Sequence, residues 1–186
     1  MTIVLKNKIN WIECDCGPHI ILEKRLSKFW GGIEDVSHSR TYNFPEIECD
    51  YDWACEIEGY VGKIQIEDGE GIVISEDICK SAWIPLDDSA DSGILIVANY
   101  MNENIEDSII INKIREINEN EYTNLDVTFT TKEDTLCLFA ATDKGPNWTY
   151  KVNEFKLNVG SYKIDMIEKY NFNGCSFRIH RFTKIK

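Results

Sequence analysis

Positive charge is nearly missing from the middle of this chain. Between Phe44 and Asp107 the bases are Lys63 and Lys80, against 17 acids, a net −15. The rest of the sequence holds the other 15 acids and 18 bases, a net +3, so the overall −12 sits in one contiguous third. A surface of that kind repels nucleic acid and draws in basic partners, fastest at low salt. It also serves as a solvated face that aids solubility. Histidine is scarce: His19, His38 and His180 are all there are, and none stands at metal-ligand spacing. The chain has no P-loop, no G-x-G-x-x-G and no G-x-S-x-G, so phosphate-cradling and serine-hydrolase motifs are excluded. No apolar run reaches membrane-spanning length. Met1 to Lys6 lacks a secretory-signal pattern. The expectation is a cytoplasmic protein with no membrane or nucleic-acid partner, no metal and no cofactor.

What is present is ordinary material for a packed core. Of 186 residues, 43% are hydrophobic and 28% charged, enough for one domain over 1–186. An acidic α+β half (1–118) and a β-rich half (122–186) are possible sub-structures, divided at the polar stretch Asn118 to Asn124. The seven cysteines are expected to be free thiols, because nothing marks an oxidising compartment. Cys14-Asp15-Cys16 is too closely spaced for the usual zinc pair and has no evident second pair. Cysteine–histidine pairings, such as His19 beside Cys16 or His180 with some cysteine, arise by chance among seven cysteines.

Periodicity predicts an α+β fold of mostly antiparallel sheet. Pro18 to Leu22 is a buried strand, with His19 at its surface or end. Short helices are expected near 23–30 and 50–57. Val61 to Ile74 forms a hairpin turning at Asp68-Gly69-Glu70-Gly71. Gly93 to Tyr100 is apolar throughout and belongs in the centre of a sheet. One main helix is expected at about 104–118, where Ile105, Ile109, Ile110, Ile114 and Ile117 follow a 3.6 period. Leu125 to Thr130 and Thr135 to Ala141 are predicted to pair as a hairpin around Lys132-Glu133-Asp134. Three more strands follow, and the basic segment 163–186 is placed to neutralise part of the acidic third.

The hexapeptide Asp50-Tyr51-Asp52-Trp53-Ala54-Cys55 organises the acidic third. Asp50 is a good N-cap, and Tyr51, Ala54 and Cys55 fall on one helical face. That pattern describes a buried, capped turn; Asp50 with Asp52 as a paired-carboxylate site is the alternative. Trp53 falls off the expected buried face. It is either partly buried or an exposed protein-binding anchor amid carboxylates.

These pieces together resemble the immunity protein 21 family of bacterial polymorphic-toxin systems. The resemblance is carried by Trp11, Gly17-Pro18 leading into Ile20-Ile21-Leu22, Trp30-Gly31, the hexapeptide, the hairpin Val61 to Ile74, and Trp83 with Pro85 before the strand from Gly93. It runs over roughly 11–116 and continues through Leu157, Gly160 and Tyr162. The chain departs from the family pattern at Cys16, Trp53 and Asn99-Tyr100. The resemblance implies a non-enzymatic protein, without catalytic residues, that binds and neutralises a cognate toxin. An acidic face would suit a toxin with a basic surface, such as a nuclease with a basic cleft. The candidate toxin-binding residues are Glu46, Glu48, Asp52, Trp53, Glu56, Glu58, Asp68, Glu70, Asp87 and Asp88. The competing expectation is a small enzyme or ligand-binding protein with a pocket between the sheet and the 104–118 helix.

Overall fold

Alternating side chains build two antiparallel sheets, each buried on both faces. The computed structural model describes residues 8–15, 17–34 and 47–185. In chain order its strands are β1 (Ile12–Glu13), β2 (His19–Glu23), β3 (Val61–Ile66), β4 (Gly69–Ile74), β5 (Lys80–Pro85), β6 (Ser92–Tyr100), β7 (Thr123–Thr131), β8 (Thr135–Ala140), β9 (Asn153–Lys156), β10 (Gly160–Phe172) and β11 (Cys175–Lys184). Three short α-helices join them among the described residues, α1 (Lys24–Ser27), α2 (Asp50–Cys55) and α3 (Asp107–Arg115), with one 3-10 turn at Glu119–Glu121. One sheet has the order β1-β5-β6-β11-β10-β7, the other β3-β4-β2-β8-β9. Both therefore take strands from either side of the polar stretch at 118–124. Residues 1–7, with Met1 to Lys6, lie outside the described residues, as do Cys16 and most of the polar stretch 33–49 with His38 and Pro45.

Each strand sends alternate residues to opposite faces. Leu95 and Val97 of β6 join Ile21, Ile72, Leu136 and Leu138 between the sheets. Their neighbours Ile94 and Ile96 pack outward with Ile110, Ile111 and Ile114 of α3. The outer face of the five-stranded sheet is covered by Leu26, Trp30 and Ala54 from the α1 and α2 regions. Trp83 bridges the sheets, stacked on Phe155 at 4.1 Å and edge-on to Phe182 at 5.2 Å. The central placement of Gly93 to Tyr100 holds, since β6 lies between β5 and β11.

Four expectations change. The main helix is cut to nine residues. It starts late because Ile105 and Asn104 donate their amides to the backbone and side-chain oxygens of Asn102, forming a turn. Ile105 and Ile117 still reach the same cluster from outside the helix, which is why the period extended past it. Ile109 is exposed, and Ile111 takes the buried place.

The predicted 125–141 hairpin does not form. β7 pairs with β10, whereas β8 pairs with β2 and β9 in the other sheet. The burial pattern gives the reason. β7 exposes Asp126, Thr128 and Thr130 while Val127 and Phe129 turn inward, a one-faced edge strand. β8 is buried on both faces from Leu136 to Ala140 and needs a neighbour on each side.

The β3–β4 turn is the two residues Glu67-Asp68, since Ile66 pairs with Gly69. Gly71 sits inside β4 instead. A Cβ there would stand 2.4 Å from Leu22 Cδ2, so glycine lets β2 approach. His19 is fully buried. Its Nδ1 is 2.6 Å from Ser81 Oγ and its Nε2 is 3.1 Å from Cys14 Sγ. Burial pushes its pKa down to about 4.

Candidate functional site: an acidic groove beside helix α2

Helix α2 is held by its acids more than it displays them. Its N-cap is Cys49 rather than Asp50. Asp52 accepts the amides of Glu48 at 2.9 Å and Cys49 at 3.1 Å, which hold its carboxyl below the usual range. Asp50 is buried and accepts the Gly31 amide at 2.7 Å. Ala54 packs on the five-stranded sheet with Tyr51 and Trp53 partly buried beside it, while Cys55 is exposed. The helix is thus rotated from its expected setting, because Asp50 is anchored inward.

Beyond α2 the chain runs through Glu56 and Glu58 to Tyr60 and into β3. Ser75, which follows β4, ties this connection down. Its hydroxyl donates to Gly59 O and its amide to Tyr60 O. Two hollows adjoin here and share Tyr60 and Glu76. One, of about 410 Å³, is lined by Tyr51, Cys55, Ile57 and Asp77. The other, of about 530 Å³, is lined by Tyr100, Glu168, Asn171 and Arg178.

Arg178 organises the groove from below. It is 3% exposed, yet its guanidinium pairs with Glu76, donates to Ser75 O at 3.1 Å and lies 4.6 Å over the Tyr60 ring. Its Nε donates to His180 Nε2 at 3.2 Å, which puts the ring proton on Nδ1, an atom without a partner. Burial first, and Arg178 second, push the His180 pKa down to about 3. Tyr60 donates its hydroxyl to Glu168 at 2.7 Å. Glu56, Glu58 and Asp77 are exposed and have no ion-pair partner among the described residues.

The ten sequence candidates do not share one place. Glu48, Asp52, Trp53, Glu56 and Glu58 lie on or beside α2, with Glu48 exposed. Asp68 sits on the β3–β4 turn, at the opposite end of that hairpin, bound by Arg25 at 2.5 Å and Lys132 at 3.4 Å. Glu70 pairs with Lys63 at 3.0 Å and accepts the Thr130 amide at 2.8 Å. Asp87 and Asp88 follow β5, at the other end of that strand from Asp77. Asp87 accepts from the hydroxyls of Ser89 and Ser92. Glu46 lies outside the described residues. Sequence reasoning missed Tyr60, Glu76, Asp77, Glu168 and Arg178. One signal was available: Arg178 and His180 alternate with Phe177 and Ile179 in a strand buried on both faces.

The cysteine chemistry also differs from expectation. Cys79 is disulfide-bonded. Cys49, Cys137 and Cys175 are unbridged and buried, and Cys55 is unbridged and exposed. Among the described residues His19 meets Cys14, and burial disfavours the imidazolium that a thiolate pair would need; Cys16 lies outside the described residues. Among the described residues no group of three or more histidine, cysteine or acidic side chains is placed to hold a metal.

Residues 10–148 match the family model described as immunity protein 21. The chain belongs to the immunity protein 21 family. No curated protein and no solved structure matches it. The immunity protein 21 match takes in α2, Tyr60, Glu76, Asp77 and Tyr100. Glu168, Asn171 and Arg178, which complete the groove, come from the strands beyond it. Among the described residues no helix is long and apolar enough to cross a membrane.

Proposed function

We propose that this immunity protein neutralises a cognate toxin by binding it, without catalysis, through the acidic groove beside α2. The contact set is Glu56, Glu58, Glu76, Asp77 and Glu168, with Tyr60 and Tyr100 as aromatic contacts and Glu48 at the margin. One observation carries this reading. Asp77 lines the hollow, Glu56 and Glu58 alternate in sequence with its lining residues Cys55, Ile57 and Gly59, and all three acids are exposed without an ion-pair partner among the described residues, while Asp68, Glu70 and Asp91 are matched by bases of the same chain. Carboxylates left unmatched within the fold are available to a partner. The toxin surface this suits is basic, of the kind a nuclease offers to nucleic acid.

The test is co-expression with the cognate toxin in a sensitive host, paired with binding kinetics. Glu56→Lys, Glu58→Lys and Asp77→Lys together are expected to slow association on the order of tenfold at low salt and to weaken rescue. Asp87→Lys with Asp88→Lys, at the other end of β5, leaves both unchanged. Equal loss from the two sets, or none from the first, would sink the assignment.

A further inference from the structure

A third hollow, of about 740 Å³, opens between the Pro85 end of β5, strand β9 and helix α3. Its floor is apolar. Trp83, Ile84, Ile111 and Phe155 line it, and each is under one-tenth exposed. The stacked Trp83–Phe155 pair gives the floor a flat, fixed surface. The Trp83 indole N–H has no hydrogen-bond acceptor among the described residues. Two other indoles have acceptors: Trp11 donates to Asp107 at 3.2 Å and Trp30 to Ala141 O at 2.8 Å. The Trp83 N–H is not among the buried unsatisfied atoms, so it is open to solvent and to a ligand.

The rim carries charge of the rarer sign. Lys8, Arg115 and Lys151 are exposed and have no ion-pair partner among the described residues, in a chain of net −12. The other rim charges are mostly committed. Lys156 pairs with Asp134 and Glu154 with Lys24, both at 2.8 Å, and Asp87 is bonded to Ser89 and Ser92. Hydroxyl donors leave Asp87 charged, so Asp87 and Asp88 set two negative charges against the three cations and the rim remains net positive. The volume lies within the range of small-molecule sites, roughly 300–1,000 Å³.

We infer that this hollow binds a small amphipathic carboxylate. Its flat apolar body seats on Trp83 and Phe155, and its anionic head is held by Lys8, Arg115 and Lys151. The site is separate from the acidic groove and does not rest on the toxin-binding reading. The probe is 2-naphthoate, titrated into the full chain while the tryptophan indole N–H resonances are followed. Trp83→Phe assigns the Trp83 signal. Saturable movement of that signal, with the neutral 2-naphthalenemethanol binding about fivefold more weakly or worse, is the expected result. Arg115→Glu with Lys151→Glu should weaken naphthoate by about fivefold or more and leave the alcohol unchanged. Both residues are exposed, so this variant keeps its fold even where Trp83→Phe does not. A Trp83 resonance that stays still in millimolar naphthoate, or equal affinity for acid and alcohol, overturns the proposal.

Discussion

Replacing Arg178 by Met tests whether the groove is held from below. Methionine keeps much of the apolar stem but removes every polar contact. Two buried acceptors lose their donor, Ser75 O and His180 Nε2. A buried group left unsatisfied costs about 1–3 kcal/mol. The Glu76 pair adds little, because the Glu76 side chain is 55% exposed and returns to water. The contact over the Tyr60 ring adds on the order of 0.5–1 kcal/mol. Together these place the loss at about 3 kcal/mol, a large share of a typical 5–15 kcal/mol stability. Urea unfolding should show a lower midpoint with an unchanged slope. Adding His180→Leu removes the orphaned acceptor and the unpartnered Nδ1 together, so the double variant should be about 1 kcal/mol more stable than Arg178→Met alone. A loss below about 1 kcal/mol for Arg178→Met, or a double variant less stable than the single, refutes the argument.

Two other outcomes follow from the packing. His19 and His180 are held neutral by burial, with pKa values pushed down to about 4 and about 3. The unfolded chain binds a proton on each near pH 6.5 and the folded chain does not. Stability is therefore full above about pH 6.5 and falls on acidification, by up to about 1.4 kcal/mol per pH unit for each histidine. Unfolding midpoints measured from about pH 7 to pH 5 should fall, and His19→Gln should flatten the slope; an unchanged slope is the contrary result. Gly93→Ala places a Cβ 2.0 Å from Trp83 Cζ2. It should cost about 1–3 kcal/mol and disturb the near-ultraviolet circular dichroism of the Trp83 stack, whereas a neutral substitution would show that the ring moves freely.

The elements themselves were legible in the chain. The apolar run of β6 marked a central strand, because a strand buried on both faces has no polar side to show. The hexapeptide marked a short helix, and the residues around it carried the family resemblance. Local pattern reports burial and turn chemistry, and those are properties of a residue and its near neighbours.

Pairing was decided elsewhere. The Lys132-Glu133-Asp134 turn looks the same whether β8 folds back on β7 or crosses to the other sheet. What settles it is that β8 needs two neighbours and β7 needs one. The acidic site has the same character. Along the chain, Asp68, Glu70 and Glu58 are equivalent acids. In space, Asp68 meets Lys132, 64 residues away, Glu70 meets Lys63, and Glu58 meets no base among the described residues. Arg178 reaches Glu76 across 102 residues. The sequence by itself determined how much charge of each sign the molecule carries and which stretches are buried. Only the tertiary structure decided which charges cancel and which remain for a partner, because Coulomb interactions act over a few ångströms of space and take no account of distance along the chain.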